Sequence, residues 1–90
     1  SASATRLRLV GEATLHGLEQ AIGDDIALAL AAVETPMVGN RLVAVAQIVM
    51  VSGGEERFMV GSAIVGQDPA QSAVRAVLDA VNRQVPQLRR

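Results

Sequence analysis

The order of periodic segments predicts an α+β domain, α-β-β-β-α, with a three-stranded antiparallel sheet and two helices on one face. Three observations carry this expectation. Apolar residues at helical spacing open the chain, turn-bounded β-branched stretches fill its middle, and a capped amphipathic segment closes it.

The first helix is expected over about residues 5–22, where Leu7, Val10, Thr14, Leu18, Ala21 and Ile22 follow one face of a helical wheel. Gly11 and Gly17 weaken it, because glycine costs about 1 kcal/mol against alanine in a helix, unless a neighbour needs the space. Arg6-Leu7-Arg8-Leu9-Val10 also alternates, so a short strand is the competing reading there. Gly23-Asp24-Asp25 supplies the helix stop and a turn.

Strands are expected over about residues 25–34, 41–52 and 55–65. The first is an Ile-Ala-Leu-Ala-Leu-Ala-Ala-Val run bounded by Pro36 and Gly39-Asn40. The second is rich in β-branched residues, and Gly53-Gly54 after it is a strong hairpin signal. The third carries Phe58, Val60 and Ile64. Short strands in succession imply an antiparallel meander.

The second helix is expected over about residues 69–85. Asp68 is placed to cap it, Pro69 suits its first position, and Gln71 completes the pattern of a capping box. Ala70, Val74, Val77, Leu78, Val81 and Val85 form its apolar stripe, and Asp79 and Arg83 form an i,i+4 ion pair. Pro86 is the expected stop, with Leu88-Arg89-Arg90 as a tail. The 90 residues read as a single small domain without an internal linker, standing alone or within a larger protein.

The strands carry more apolar surface than two helices can cover. On the second strand Leu42, Ala44, Ala46, Ile48 and Met50 form one face; Val43, Val45, Val49 and Val51 form the other, interrupted only by Gln47. The third strand has Phe58, Val60 and Ile64 on one side, with Met59, Ala63 and Val65 on the other. In the first, Ile26, Leu28 and Leu30 oppose a row of alanines and Val33. A sheet covered on one face should be polar on its other face, and this one is not. The expected consequence is association, with Val43, Val45, Val49, Val51, Met59, Ala63 and Val65 as the oligomer interface. The simplest partner is a second copy in a twofold dimer; the alternative is a neighbouring segment of a parent protein.

Composition excludes several functions. Half of the residues are apolar, Phe58 is the one aromatic side chain, and cysteine is absent. A disulfide framework, a cysteine-ligated metal and a thiol nucleophile are therefore excluded. One histidine, His16, leaves little room for a His-rich metal site or a Ser–His–Asp triad. No apolar run reaches the roughly 18 residues of a membrane span. Ser1-Ala2-Ser3 does not open like a signal peptide, so the expected location is cytoplasmic, with no membrane partner.

Chemistry-bearing residues all have ordinary structural readings. His16 fits a helix surface, Asp24-Asp25 a turn and strand boundary, and Glu55-Glu56-Arg57 a solvated hairpin shoulder. Gly61-Ser62-Ala63 lacks the glycine pattern of a nucleophile elbow, and Gly61 marks a bulge or a close backbone approach. Gly66-Gln67-Asp68 carries no basic partner for an anion. Met37, Met50 and Met59 suit core or interface filling. The expectation is a chain that is not an enzyme, with no catalytic residues, no cofactor and no metal.

The predicted order is also that of double-stranded-RNA-binding domains. Those grip phosphates with a basic cluster at the start of their second helix, where this chain has Asp68-Pro69-Ala70-Gln71. With eight arginines, no lysine and a net charge of −1, the main source of polyanion affinity is missing, and no nucleic-acid partner is expected.

Phe58-Met59-Val60-Gly61-Ser62 closes the strand region. Asp68 then opens a helix that carries Arg75-Ala76 and reaches Ala80-Val81-Asn82-Arg83. From Ile26 onward this order resembles the C-terminal half of the regulatory (allosteric, dimerising) domain of 2-isopropylmalate synthases and citramalate synthases. There a strand ending in aromatic-x-x-Gly precedes a helix that starts with Asp and ends Ala-Leu-Asn-Arg or Ala-Leu-Asn-Lys. The resemblance implies that Leu9 to Ile22 matches the end of a preceding β-β-β-α half. The synthase barrel and its metal ligands have no counterpart, so it implies a regulatory or assembly module rather than synthase activity. The leading expectation is a non-catalytic regulatory or dimerisation module with a small-molecule effector at a subunit interface. A structural protein–protein interaction domain without a ligand is the alternative, ahead of RNA binding.

Overall fold

A computed structural model describes residues 2–23 and 25–84. Asp24, Val85, Pro86 and the Leu88-Arg89-Arg90 tail lie outside the described residues. The elements are α1 (Ala2–Ile22), β1 (Ile26–Glu34), β2 (Met37–Val38), β3 (Arg41–Ser52), β4 (Glu55–Ile64) and α2 (Pro69–Gln84). The fold is α+β, with both helices packed on one face of an antiparallel sheet.

The sheet has four strands rather than the expected three. β3 is central, β1 and β4 flank it, and β2 pairs with the first residues of β3. Chemistry at Thr35-Pro36 creates the extra strand. Pro36 has no N–H to donate, so the ladder breaks beside it, although its carbonyl still accepts from Val43 N at 2.9 Å. β2 then resumes in the register that β1 would have reached, with Met37 opposite Leu42 and Val38 opposite Arg41. At the other end of β3, Gly53 and Gly54 have φ of 60° and 81°, the left-handed pair of a two-residue hairpin.

β1 contains a bulge between Leu30 and Ala32. Ala31 has no partner, so the inward set shifts from Ile26, Leu28 and Leu30 to Val33, opposite Ala46. This corrects the expectation that Val33 stands with the alanines. An unbroken alternation would put it there; one extra residue moves it to the core side, where it packs against the buried cluster.

The stretch Arg6–Val10 is helical, not a strand. α1 packs on β1 and against α2. Leu7, Gly11 and Leu15 are its buried residues and Leu18 and Ile22 extend the line, whereas Ala21 is exposed. The contact line is centred on Gly11, where an added Cβ would stand 3.0 Å from Leu30 Cδ2. An apolar stripe cannot mark a glycine, which is why the expected face was rotated.

α2 lies over β4 and β3 and supplies Ala73, Ala76, Val77, Ala80 and Val81, each at most 1% exposed. Gly61 lets it come so close. A Cβ there would meet the Ala76 carbonyl oxygen, the Ala80 nitrogen and, at 2.8 Å, the Ala80 Cα. No register shift occurs between β3 and β4, so Gly61 marks a close approach and not a bulge. Asp68 caps the helix by accepting from Ala70 N at 3.1 Å, while Gln71 is exposed and makes no return bond. Arg83 pairs with Asp79 at 3.2 Å. The core under the helices gathers Leu15, Leu28, Leu30, Ile48, Met50 and Met59 with the α2 residues.

Candidate functional site

Residues directly opposite across an antiparallel pair point to the same face. On the side away from the helices, Val43, Val45, Gln47, Val49 and Val51 of β3 therefore stand with Ile64, Ser62, Val60, Phe58 and Glu56 of β4, in that order. On the β1 side, Ala27, Ala29 and Ala32 flank Val51, Val49 and Gln47. Phe58, Val60 and Ile64 are 63%, 54% and 59% exposed. This is a largely apolar face, broken by Gln47 and Ser62, that no element among the described residues covers.

The seven residues expected to form the interface do not share one surface. Val43, Val45, Val49 and Val51 are on the open face. Met59 is 2% exposed within the core, and Ala63 and Val65 pack against that core on the helix side. Their places on the open face are taken by Phe58, Val60 and Ile64. Both sides of β4 are apolar, so alternation alone could not choose between them. The Gly53-Gly54 turn could have. A two-residue hairpin sets Ser52 opposite Glu55, and counting back from there puts Phe58 opposite Val49.

The sheet edges, by contrast, are occupied at several backbone groups. On β1, Leu28 N donates to Glu19 Oε2 at 2.7 Å, and Arg8 donates to the Leu30 carbonyl at 3.1 Å while pairing with Glu12 at 3.5 Å. Beside β4, Ser62 N donates to Asp79 Oδ2 at 3.0 Å, and Ser72 Oγ accepts from Gly66 N and donates to the Ile64 carbonyl. Helix side chains thus occupy backbone groups through which another strand would add.

His16 is exposed, with Nε2 3.3 Å from Gln20 Nε2. It borders a groove between α1 and β1, of about 400 Å³, that Glu12 and Glu19 also line. Thr14 spends its hydroxyl on the Val10 carbonyl and Ser72 spends its own on backbone groups. Among the described residues no group of three or more His, Asp or Glu side chains is gathered for a metal ion. Asp68 places its own carboxylate on the N-terminus of α2, where an external anion would sit. No helix among the described residues is long and apolar enough to cross a membrane.

The fold and this surface define an α+β domain with helices on one face of the sheet and, on the other, a largely apolar face that nothing among the described residues covers. Comparison with family models, curated proteins and solved structures returned no match.

Proposed function

We propose that the chain is a non-catalytic regulatory or dimerisation module that assembles with a second copy of itself through the open face of its sheet. One observation carries this reading: β3 and β4 present Val51, Phe58, Val60 and Ile64 on one face to solvent, each at least 40% exposed. Apolar surface left in water opposes solubility, and burying it gives back about 25 cal/mol per Å². The edge groups held by Glu19, Arg8, Asp79 and Ser72 favour face-to-face packing over strand addition at those positions.

The resemblance of Ile26–Arg83 to synthase regulatory domains supports an effector at the subunit interface. A second reading, association without a ligand, is favoured by the size of the depression beside Gln47. That depression, lined by Ala32, Glu34, Pro36, Val45 and Gln47, holds about 240 Å³. Ligand pockets usually hold about 300–1,000 Å³.

Light scattering across a dilution series tests the association. A dimer mass at high concentration that falls on dilution is expected. Val49→Glu should give a monomer with an unchanged circular dichroism spectrum. A wild-type monomer at every concentration would leave the face to another segment or partner and overturn the reading. Titration calorimetry against amino acids and short-chain acids then separates the two versions, since only the first predicts a saturable heat.

A further inference from the structure

The open face is not level. β4 raises a ridge of Phe58 and Val60, with Ile64 beyond the small Ser62, and β1 opposite it is a trough of Ala27, Ala29 and Ala32. Accepting association through this face, we propose that two copies close about a twofold axis running along β3, so that the ridge of each fills the trough of the other.

The register gives the pairing. Phe58 and Ala29 both lie at the level of Val49, on opposite sides of it; Val60 and Ala32 both flank Gln47. Rotation about β3 keeps the level and exchanges the sides. Phe58 then meets the partner's Ala29, and Val60 meets the partner's Ala32. Facing sheets of a sandwich run within about 30° of one another, so this correspondence holds best near the centre. An axis across the strands would set ridge on ridge and trough on trough. The first is a clash and the second a void, and protein interfaces pack as densely as interiors.

Gln47 supports a copy as the occupant. It is the polar residue at the centre of the face, between Val45 and Val49 along β3 and between Ala32 and Val60 across it. Covered by an apolar partner, its amide would lose its hydrogen bonds. On a twofold axis it meets the partner's Gln47, and an amide offers both donor and acceptor to its own copy. Of the charged residues on this side, Arg41 and Glu56 lie toward its ends, while Glu34 flanks Val45, where the same rotation brings it over the partner's Ser62, whose hydroxyl can donate to it.

The area fits a reversible dimer. Ten residues at about 3.3 Å and three strands at about 4.8 Å give roughly 500 Å² in plan, to which side-chain relief adds. A standard interface takes about 800 Å² from each partner.

A size swap tests the geometry. Ala29 is exposed, so Ala29→Phe adds nothing to the core but fills the trough. Its dissociation constant, from light scattering or native mass spectrometry, should rise at least about tenfold. Ala29→Phe combined with Phe58→Ala exchanges ridge and trough and should restore association to near the wild-type value. Ala32→Leu with Val60→Ala repeats the exchange one level away, should the first pair disturb folding as judged by circular dichroism. A dimer indifferent to Ala29→Phe, or a folded single variant that neither swap rescues, would overturn this geometry while leaving dimerisation intact. A wild-type monomer throughout would overturn the geometry and the proposed function together.

Discussion

Gly61→Ala should be among the most damaging single-methyl changes available to this fold. The added carbon would overlap the Ala76 carbonyl oxygen and the Ala80 nitrogen and stand 2.8 Å from the Ala80 Cα. All three are backbone atoms of α2, so no rotamer change relieves the overlap and the helix must back away from β4. The buried line of Ala73, Ala76, Val77, Ala80 and Val81 backs away with it. A radial gap of about 0.5–1 Å already forfeits a quarter to a half of a contact's attraction. Overpacking costs about 1–3 kcal/mol in general, and a rigid backbone neighbour puts this site at or above 3 kcal/mol. A domain of this length has a total stability of only about 5–13 kcal/mol. Two internal controls make the reasoning sharp. Gly17 has nothing within 4 Å of an added Cβ, so Gly17→Ala should stabilise by up to about 1 kcal/mol through helix propensity alone. Gly11 is intermediate: its added Cβ would meet the flexible end of Leu30, so Gly11→Ala should fall near neutral. Urea denaturation at one protein concentration, where assembly is the same for all variants, gives the three midpoints. Gly61→Ala within about 0.5 kcal/mol of wild type would refute the close approach of α2 to β4.

Asp68→Ala removes the acceptor of the Ala70 N–H and should cost about 1 kcal/mol, read as a lower urea midpoint with an unchanged slope. Gln47→Glu places two carboxylates face to face across the proposed axis. Their repulsion in the dimer raises their pKa above the ordinary value of about 4.3, so association should hold below that pH and be lost as pH rises through the raised value. Light scattering between about pH 4 and 7 reads this directly, and a pH-independent dimer of this variant would place Gln47 off the axis. His16→Ala should leave stability within about 0.5 kcal/mol and association unchanged, because the ring is exposed and its hydrogen-bond neighbour is the exposed Gln20 amide. Hydrolysis of generic esters or thioesters that survives repurification and vanishes in this variant would contradict the non-catalytic reading.

Local chemistry made most of the element order legible. Asp68-Pro69 marks a helix start wherever it is followed by an apolar stripe, and Gly53-Gly54 can form a left-handed two-residue turn in almost any context. The central strand was equally plain, since its alternation leaves both faces apolar. The excess of apolar surface is a property of composition and period alone.

What tertiary structure decided is which of two equivalent faces goes inward and how near the layers come. β4 is apolar on both sides, so its period could not say whether Met59 or Phe58 meets the helices; pairing with β3 chose Met59. β1 changes parity at Ala31, and no local signal in a run of alanines marks the unpaired residue. α1 turns its glycine at position 11 toward Leu30, because distance of approach is set by the absence of a side chain and a hydrophobic pattern records only presence. Period, turns and caps are encoded within a few residues of one another and can be read there. Register, bulge and layer spacing arise between segments far apart in the chain, and only their packing together selects one arrangement.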